Sequence, residues 1–61
     1  MTHLTLNTAK IENRDGLWIV NWMNSGSFLI GEQVFGNVNA ALRFCRLRAL
    51  PVVSFNGVAT V

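Results

Sequence analysis

Three arginines crowd into one stretch of this chain, Arg43-Phe44-Cys45-Arg46-Leu47-Arg48. A guanidinium presents a planar fork of donors that suits phosphate or a carboxylate-rich protein surface. On a helix Arg43 and Arg46 are i, i+3 neighbours on one face, and Arg48 lies elsewhere on the cylinder. Two functional expectations follow. In the first, Phe44, Leu47 and Arg43, joined by Trp22, make a contact with a protein partner or a second copy of the chain. In the alternative, Arg43, Arg46 and Arg48 bind nucleic acid with an affinity that falls steeply with salt. The bland counterpart to both is a solvated helix face whose cations offset the macrodipole.

Little else in the sequence could do chemistry. The one histidine, His3, stands near the N-terminus, where such a residue belongs to the surface more often than to a catalytic site. Cys45 is the one cysteine. It falls on an apolar helix stripe, where a thiol acts as a small hydrophobe, and a nucleophile would need a neighbouring base. Glu12, Asp15 and Glu32 are not spaced for acid–base work or for metal ligation. The five glycines, at 16, 26, 31, 36 and 57, are too far apart to cradle a phosphate. Trp18, Trp22, Phe28 and Phe35 could stack on bases, but that needs cations beside them, and the strands offer only Lys10 and Arg14. The expectation is a non-enzymatic protein with no catalytic residues, cofactor or metal.

Composition narrows the class further. The chain has 61 residues, of which 51% are hydrophobic and 13% charged, against about 25% charged in an average domain. Disorder and a multidomain enzyme are both excluded, and residues 1–61 read as a single domain. A chain this small buries only about 60% of its extended surface, so some apolar side chains must stay outside. Self-association is the simplest remedy where there is no disulfide pair or metal cluster. The net charge of +2 comes from five basic and three acidic residues, few for a phosphate-driven binder. The longest uncharged stretch, 16–31, is interrupted by Asn21, Asn24, Ser25, Gly26 and Ser27 and is too short for a spanning helix. No basic n-region with an apolar h-region is visible. With its unpaired cysteine, the chain is expected in the cytoplasm.

The elements that must position these residues can be read in order. Residues 2–13 alternate, with Leu4, Leu6 and Thr8 on one side, as in a half-buried strand. Asp15-Gly16 is a turn pair, and Leu17–Met23 is a β-branched and aromatic strand. After the turn at 24–26, residues 27–30 predict a short strand, Gly31-Glu32 breaks it, and 33–35 could form another. Asn37 predicts an N-cap to a helix running to Leu50, where Pro51 stops it. Val38, Ala41, Leu42, Cys45 and Ala49 form its main apolar face. Residues 52–55 and 58–61 flank Asn56-Gly57 as a second hairpin. No repeat, linker or low-complexity segment interrupts this order. The predicted fold is α+β, a small antiparallel sheet of four to five strands with one helix packed on it, in the order β-β-β-(β)-α-β-(β).

Two features do not fit an ordinary monomer. In the strand at 17–23, Trp18, Val20 and Trp22 point one way and Leu17, Ile19 and Met23 the other, whereas an antiparallel sheet with one wet face alternates apolar with polar. One helix covers one face, so either the sheet curls around its own core or the second face meets a partner. The helix also carries Ala40, Phe44 and Leu47 away from its main stripe, which predicts Phe44 as an exposed aromatic. Size, composition and the lack of catalytic groups resemble the small accessory proteins of bacteriophages and prophages. That resemblance implies a protein that binds and redirects a host factor. A homodimer is the first expected assembly and a host or regulatory protein the further expected partner; nucleic acid ranks below these, and a membrane below that.

Overall fold

The computed structural model describes residues 7–24, 26 and 28–59. Five strands and one helix follow one another as β1 (Thr8–Arg14), β2 (Leu17–Met23), β3 (Leu29–Phe35), α1 (Val38–Leu47), β4 (Val52–Phe55) and β5 (Val58–Ala59). The strands form one sheet in the order β3-β2-β1-β4-β5, and the helix packs on one side of it. The expected α+β fold is therefore present, with one refinement: the sheet is mixed. β1, β2 and β3 are a meander, so β3 runs parallel to β1. The helix then carries the chain back across the sheet and sets β4 down beside β1, parallel to it. Parallel neighbours need such a crossover, which a two-residue turn cannot provide.

Both predicted hairpin turns form where the chain can enter positive φ. Asp15 and Gly16 stand at φ 53° and 80°, Asn56 and Gly57 at 55° and 84°. That is the type I′ signature, whose twist matches the flanking strands. Asn56 also ties its turn to β1: its N–H donates to the Ile11 carbonyl at 2.7 Å, and its Oδ1 accepts from the Asn13 N–H at 3.0 Å. At the β2–β3 connection the Asn24 Oδ1 accepts from the Gly26 and Phe28 N–H groups at 2.9 and 3.1 Å.

β3 departs from the sequence expectation. It runs unbroken through Gly31 and Glu32, although Phe28 does not join it. Gly31 pairs with Trp22, and a Cβ at Gly31 would meet Trp22 Cε2 at 2.7 Å and Cη2 at 2.9 Å. The glycine makes room for an indole laid across the strand. A register shift between Trp22 and Met23 absorbs the extra residue next to it. The expected alternation of Leu4 and Leu6 lies outside the described residues, as does His3, and β1 proper begins at Thr8.

The helix starts as predicted. Asn37 is extended at φ −149°, ψ 159°, and its Oδ1 accepts from the Ala40 N–H at 2.8 Å. Its end is earlier than Pro51 requires. Ala49 turns left-handed at φ 53°; its N–H donates to the Arg46 carbonyl at 3.1 Å and the Leu50 N–H to the Cys45 carbonyl at 2.8 Å. These are the two bonds of a Schellman motif, here with alanine in the place glycine usually takes. The motif swings Leu50 back into the core.

That core is small: Ala9, Ile11, Val20, Ala41, Cys45 and Leu50 are buried, with Trp18, Trp22, Phe35, Phe44, Val52 and Phe55 packed around them. The aromatic residues form three contacts at the rim, Trp18 on Phe55 at 5.6 Å and Phe44 on both Trp22 (5.2 Å) and Phe35 (5.3 Å), all tilted. Such pairs contribute about 0.5–1.5 kcal/mol beyond the area they bury.

Candidate interaction surface

The sequence-predicted contact residues separate into two groups. Phe44 and Trp22 come together, but against each other and the core. Phe44 is half-buried, not exposed, because the sheet beneath the helix presents Trp22 and Phe35 to it. The buried stripe therefore runs through Ala41, Phe44 and Cys45. Leu42, assigned to the main stripe, is 40% exposed, and Ala49 leaves the helix altogether. Leu47 and Arg43 stay outside, with Leu47 at 79% exposure. Arg46 and Arg48 are exposed as well. Arg48 folds its guanidinium over the face of the Phe44 ring, 5.1 Å from the centroid, a cation–π contact.

Cys45 lies on the inner side of the helix and is buried. Loss of water around it pushes its thiol above the usual cysteine pKa, the opposite of what a nucleophilic cysteine needs. Among the described residues no group of three or more His, Cys, Asp or Glu side chains could hold a metal ion, and no helix is long and apolar enough to cross a membrane.

The sheet's other face is where apolar surface remains. With Ala9, Ile11, Trp18, Val20, Trp22 and Phe35 turned toward the helix, alternation puts Thr8, Lys10, Glu12 and Arg14 of β1 on the open face. Leu17, Ile19, Asn21 and Met23 of β2, and Glu32 and Val34 of β3, join them there. No element covers that face among the described residues. Leu17 is 48%, Val34 45% and Leu29 65% exposed. Phe28 and Ile30 add exposed apolar surface at the same edge of the sheet. β3 is itself an edge strand among the described residues, so the apolar half of the face borders the edge of the sheet.

The polar half lies over β1 and β4. A depression of about 300 Å³ is lined by Lys10, Ile11, Glu12, Asn21, Ser54 and Gly57. Glu12 is held by Arg14 at 2.9 Å, an exposed pair that adds little to stability. The Asn21 Oδ1 is buried and has no hydrogen-bond partner, which costs about 1–3 kcal/mol. Neither the depression nor the orphaned oxygen was foreseen from sequence. The available signal was a lone amide, Asn21, in the otherwise apolar run 17–23.

Charge is divided between the two sides. The helix carries Arg43, Arg46 and Arg48 and no acidic residue. The open face carries Lys10 and Arg14 against Glu12 and Glu32, which cancel. Comparison with protein-family models, with curated proteins and with solved structures returned no match. The open face consists of apolar side chains beside mutually cancelling charges.

Proposed function

We propose that this chain is a small non-enzymatic protein-interaction module of the accessory or regulatory kind, and that the open face of its sheet is the docking surface. The observation that carries the reading is the gathering of Leu17, Leu29 and Val34, each 45–65% exposed, with Ile19 and Met23 on one uncovered face. Contiguous apolar patches on small proteins mark contact sites, and the charges beside this one, Lys10 and Arg14 against Glu12 and Glu32, cancel. The contact is thereby moved from the helix, where Phe44 is engaged with Trp22, to the strands. A reducing compartment such as the cytoplasm fits a buried thiol with no second cysteine.

The alternative, nucleic acid on the Arg43, Arg46 and Arg48 helix, is supported less well. Arg48 lies over Phe44, and the two remaining guanidiniums are few for a process driven by release of many counterions.

Site-specific photo-cross-linking in cells tests the proposal. A benzophenone side chain at position 34, on the open face, is expected to give adducts with polypeptide; the same probe at position 43, on the helix, is expected to give few or none. Polypeptide adducts from position 43 alone, or none from either position, would overturn it.

A further inference from the structure

The polar residues of the open face follow a pattern. Lys10 pairs with Asn21 and Asn21 with Glu32, so a cation, an amide and an anion form one rung across β1, β2 and β3. Ile19 and Val34 pair on one side of that rung, Met23 and Leu29 on the other. At the centre is Asn21, whose Oδ1 is turned inward, buried, and finds no donor among the described residues.

We infer that the occupant of this face is a second copy of the chain, stacked face to face about a two-fold axis running along β2. The inference rests on the docking-surface reading above and names its partner. Charge selects the axis. A two-fold along β2 lays β1 of each copy over β3 of the other and keeps every rung level, so Lys10 of each copy meets Glu32 of the other. A two-fold across the strands at the same rung would instead set Lys10 on Lys10 and Glu32 on Glu32. Stacked sheets lie about 10 Å apart with strands within about 30° of alignment, a gap that lysine and glutamate side chains reaching from both sides can close.

The same axis lays β2 over β2. Ile19 then packs on Ile19, Met23 on Met23, and the two Asn21 amides meet at the centre. Each amide, turning about its soft terminal torsion, offers Nδ2 to the other's Oδ1, which supplies the missing donor. A single buried asparagine pair fixes register and partner number in coiled coils, where shifted arrangements leave it unsatisfied, and the same logic applies here. The open faces are electrically neutral and can approach, whereas a helix-to-helix dimer would gather three guanidiniums from each copy. Three seven-residue strands span a face of roughly 23 by 14 Å. That is roughly 320 Å² per copy, below the roughly 1,000 Å² in total that stable interfaces clear, so the dimer is a weak, transient one.

Sedimentation equilibrium from low micromolar to near-millimolar protein tests the arrangement. The native chain is expected to show a monomer–dimer equilibrium. Lys10→Glu and Glu32→Lys each set like charges against each other twice and are expected to weaken the dimer about ten-fold or more. The double variant, with both reversed, is expected to recover the native constant to within about three-fold. Both side chains are exposed and stand two strands apart, so each variant keeps the native circular dichroism spectrum. A chain that stays monomeric throughout, single reversals that dimerise like the native protein, or a double variant no better than the singles would overturn the inference. If the chain is monomeric yet position 34 still cross-links to a different polypeptide, this inference falls and the docking-face reading stands; if position 34 yields nothing as well, both fall.

Discussion

Ala49 occupies the one backbone position in the described chain where a side chain other than Asp or Asn is held at positive φ, and replacing it with glycine should stabilise the protein. An L-residue in the left-handed region costs roughly 1–2 kcal/mol because its Cβ crowds the following carbonyl. Glycine removes that cost but has more freedom to lose on folding, about 0.5–1 kcal/mol. The Ala49 side chain is exposed, so no packing is lost. The net expectation for Ala49→Gly is a gain of about 0.5–1 kcal/mol. In a domain of this size 1 kcal/mol moves Tm by about 4–8 °C, so the midpoint should rise by about 2–8 °C. Thermal unfolding by far-UV circular dichroism, at one protein concentration because assembly would shift Tm, measures it. Urea denaturation should show a higher midpoint at unchanged slope. Arg43→Gly is the control, since the same residue inside the helix should cost roughly 0.8 kcal/mol. A fall in Tm for Ala49→Gly, or a loss equal to that of the control, would show that residues 46–50 do not close as a Schellman motif.

Three further outcomes follow from the packing. Gly31→Ala should destabilise the fold by about 1–3 kcal/mol, as overpacking does, and should alter tryptophan fluorescence, because the new Cβ displaces the Trp22 indole; urea titration followed by emission reads both. Asn37→Ala should cost about 1 kcal/mol by removing the bond to the Ala40 N–H, read as lower helical ellipticity near Tm. For Cys45 the folded-state pKa lies above that of the unfolded chain, so the thiol's contribution to stability is complete below about pH 8.5 and declines as pH rises from there toward the folded value, because only the unfolded chain ionises freely. Its reaction with a thiol reagent should therefore be slow at neutral pH and accelerate in denaturant. Rapid labelling of the native protein would contradict burial of the thiol.

Local chemistry explains which elements were legible in the sequence. Asp15-Gly16 and Asn56-Gly57 announce their turns because few residue pairs accept two consecutive positive φ angles, and Asn37 announces a helix start for an equally local reason. The elements that eluded the sequence depend on distant partners. Gly31 reads as a break until Trp22 lies over it. Ala49 reads as helix because nothing about alanine signals a left-handed turn. The parallel pairing of β4 with β1 is fixed by where the helix crossover ends, which adjacent residues do not encode. Phe44 was placed outside because periodicity gives a direction around the helix but not the width of the sheet beneath it, and a sheet bearing Trp22 and Phe35 reaches past the central stripe.

The candidate surface was legible to the same degree. Alternation in 17–23 foretold two apolar faces for one helix, which is a property of a single strand. The rung Lys10–Asn21–Glu32 was hidden, because it exists only once three strands take their register. Two of its members, Lys10 and Glu32, are separated by more than twenty positions in sequence, and either alone is an unremarkable surface charge. In the proposed dimer their level alignment gives a greasy face a preferred direction of approach. On that proposal the ordering matters as much as the apolar surplus of a domain this small: exposed leucine and valine would supply adhesion, while a neutral, alternating set of charges and an unsatisfied amide would limit what can adhere and how it must be turned.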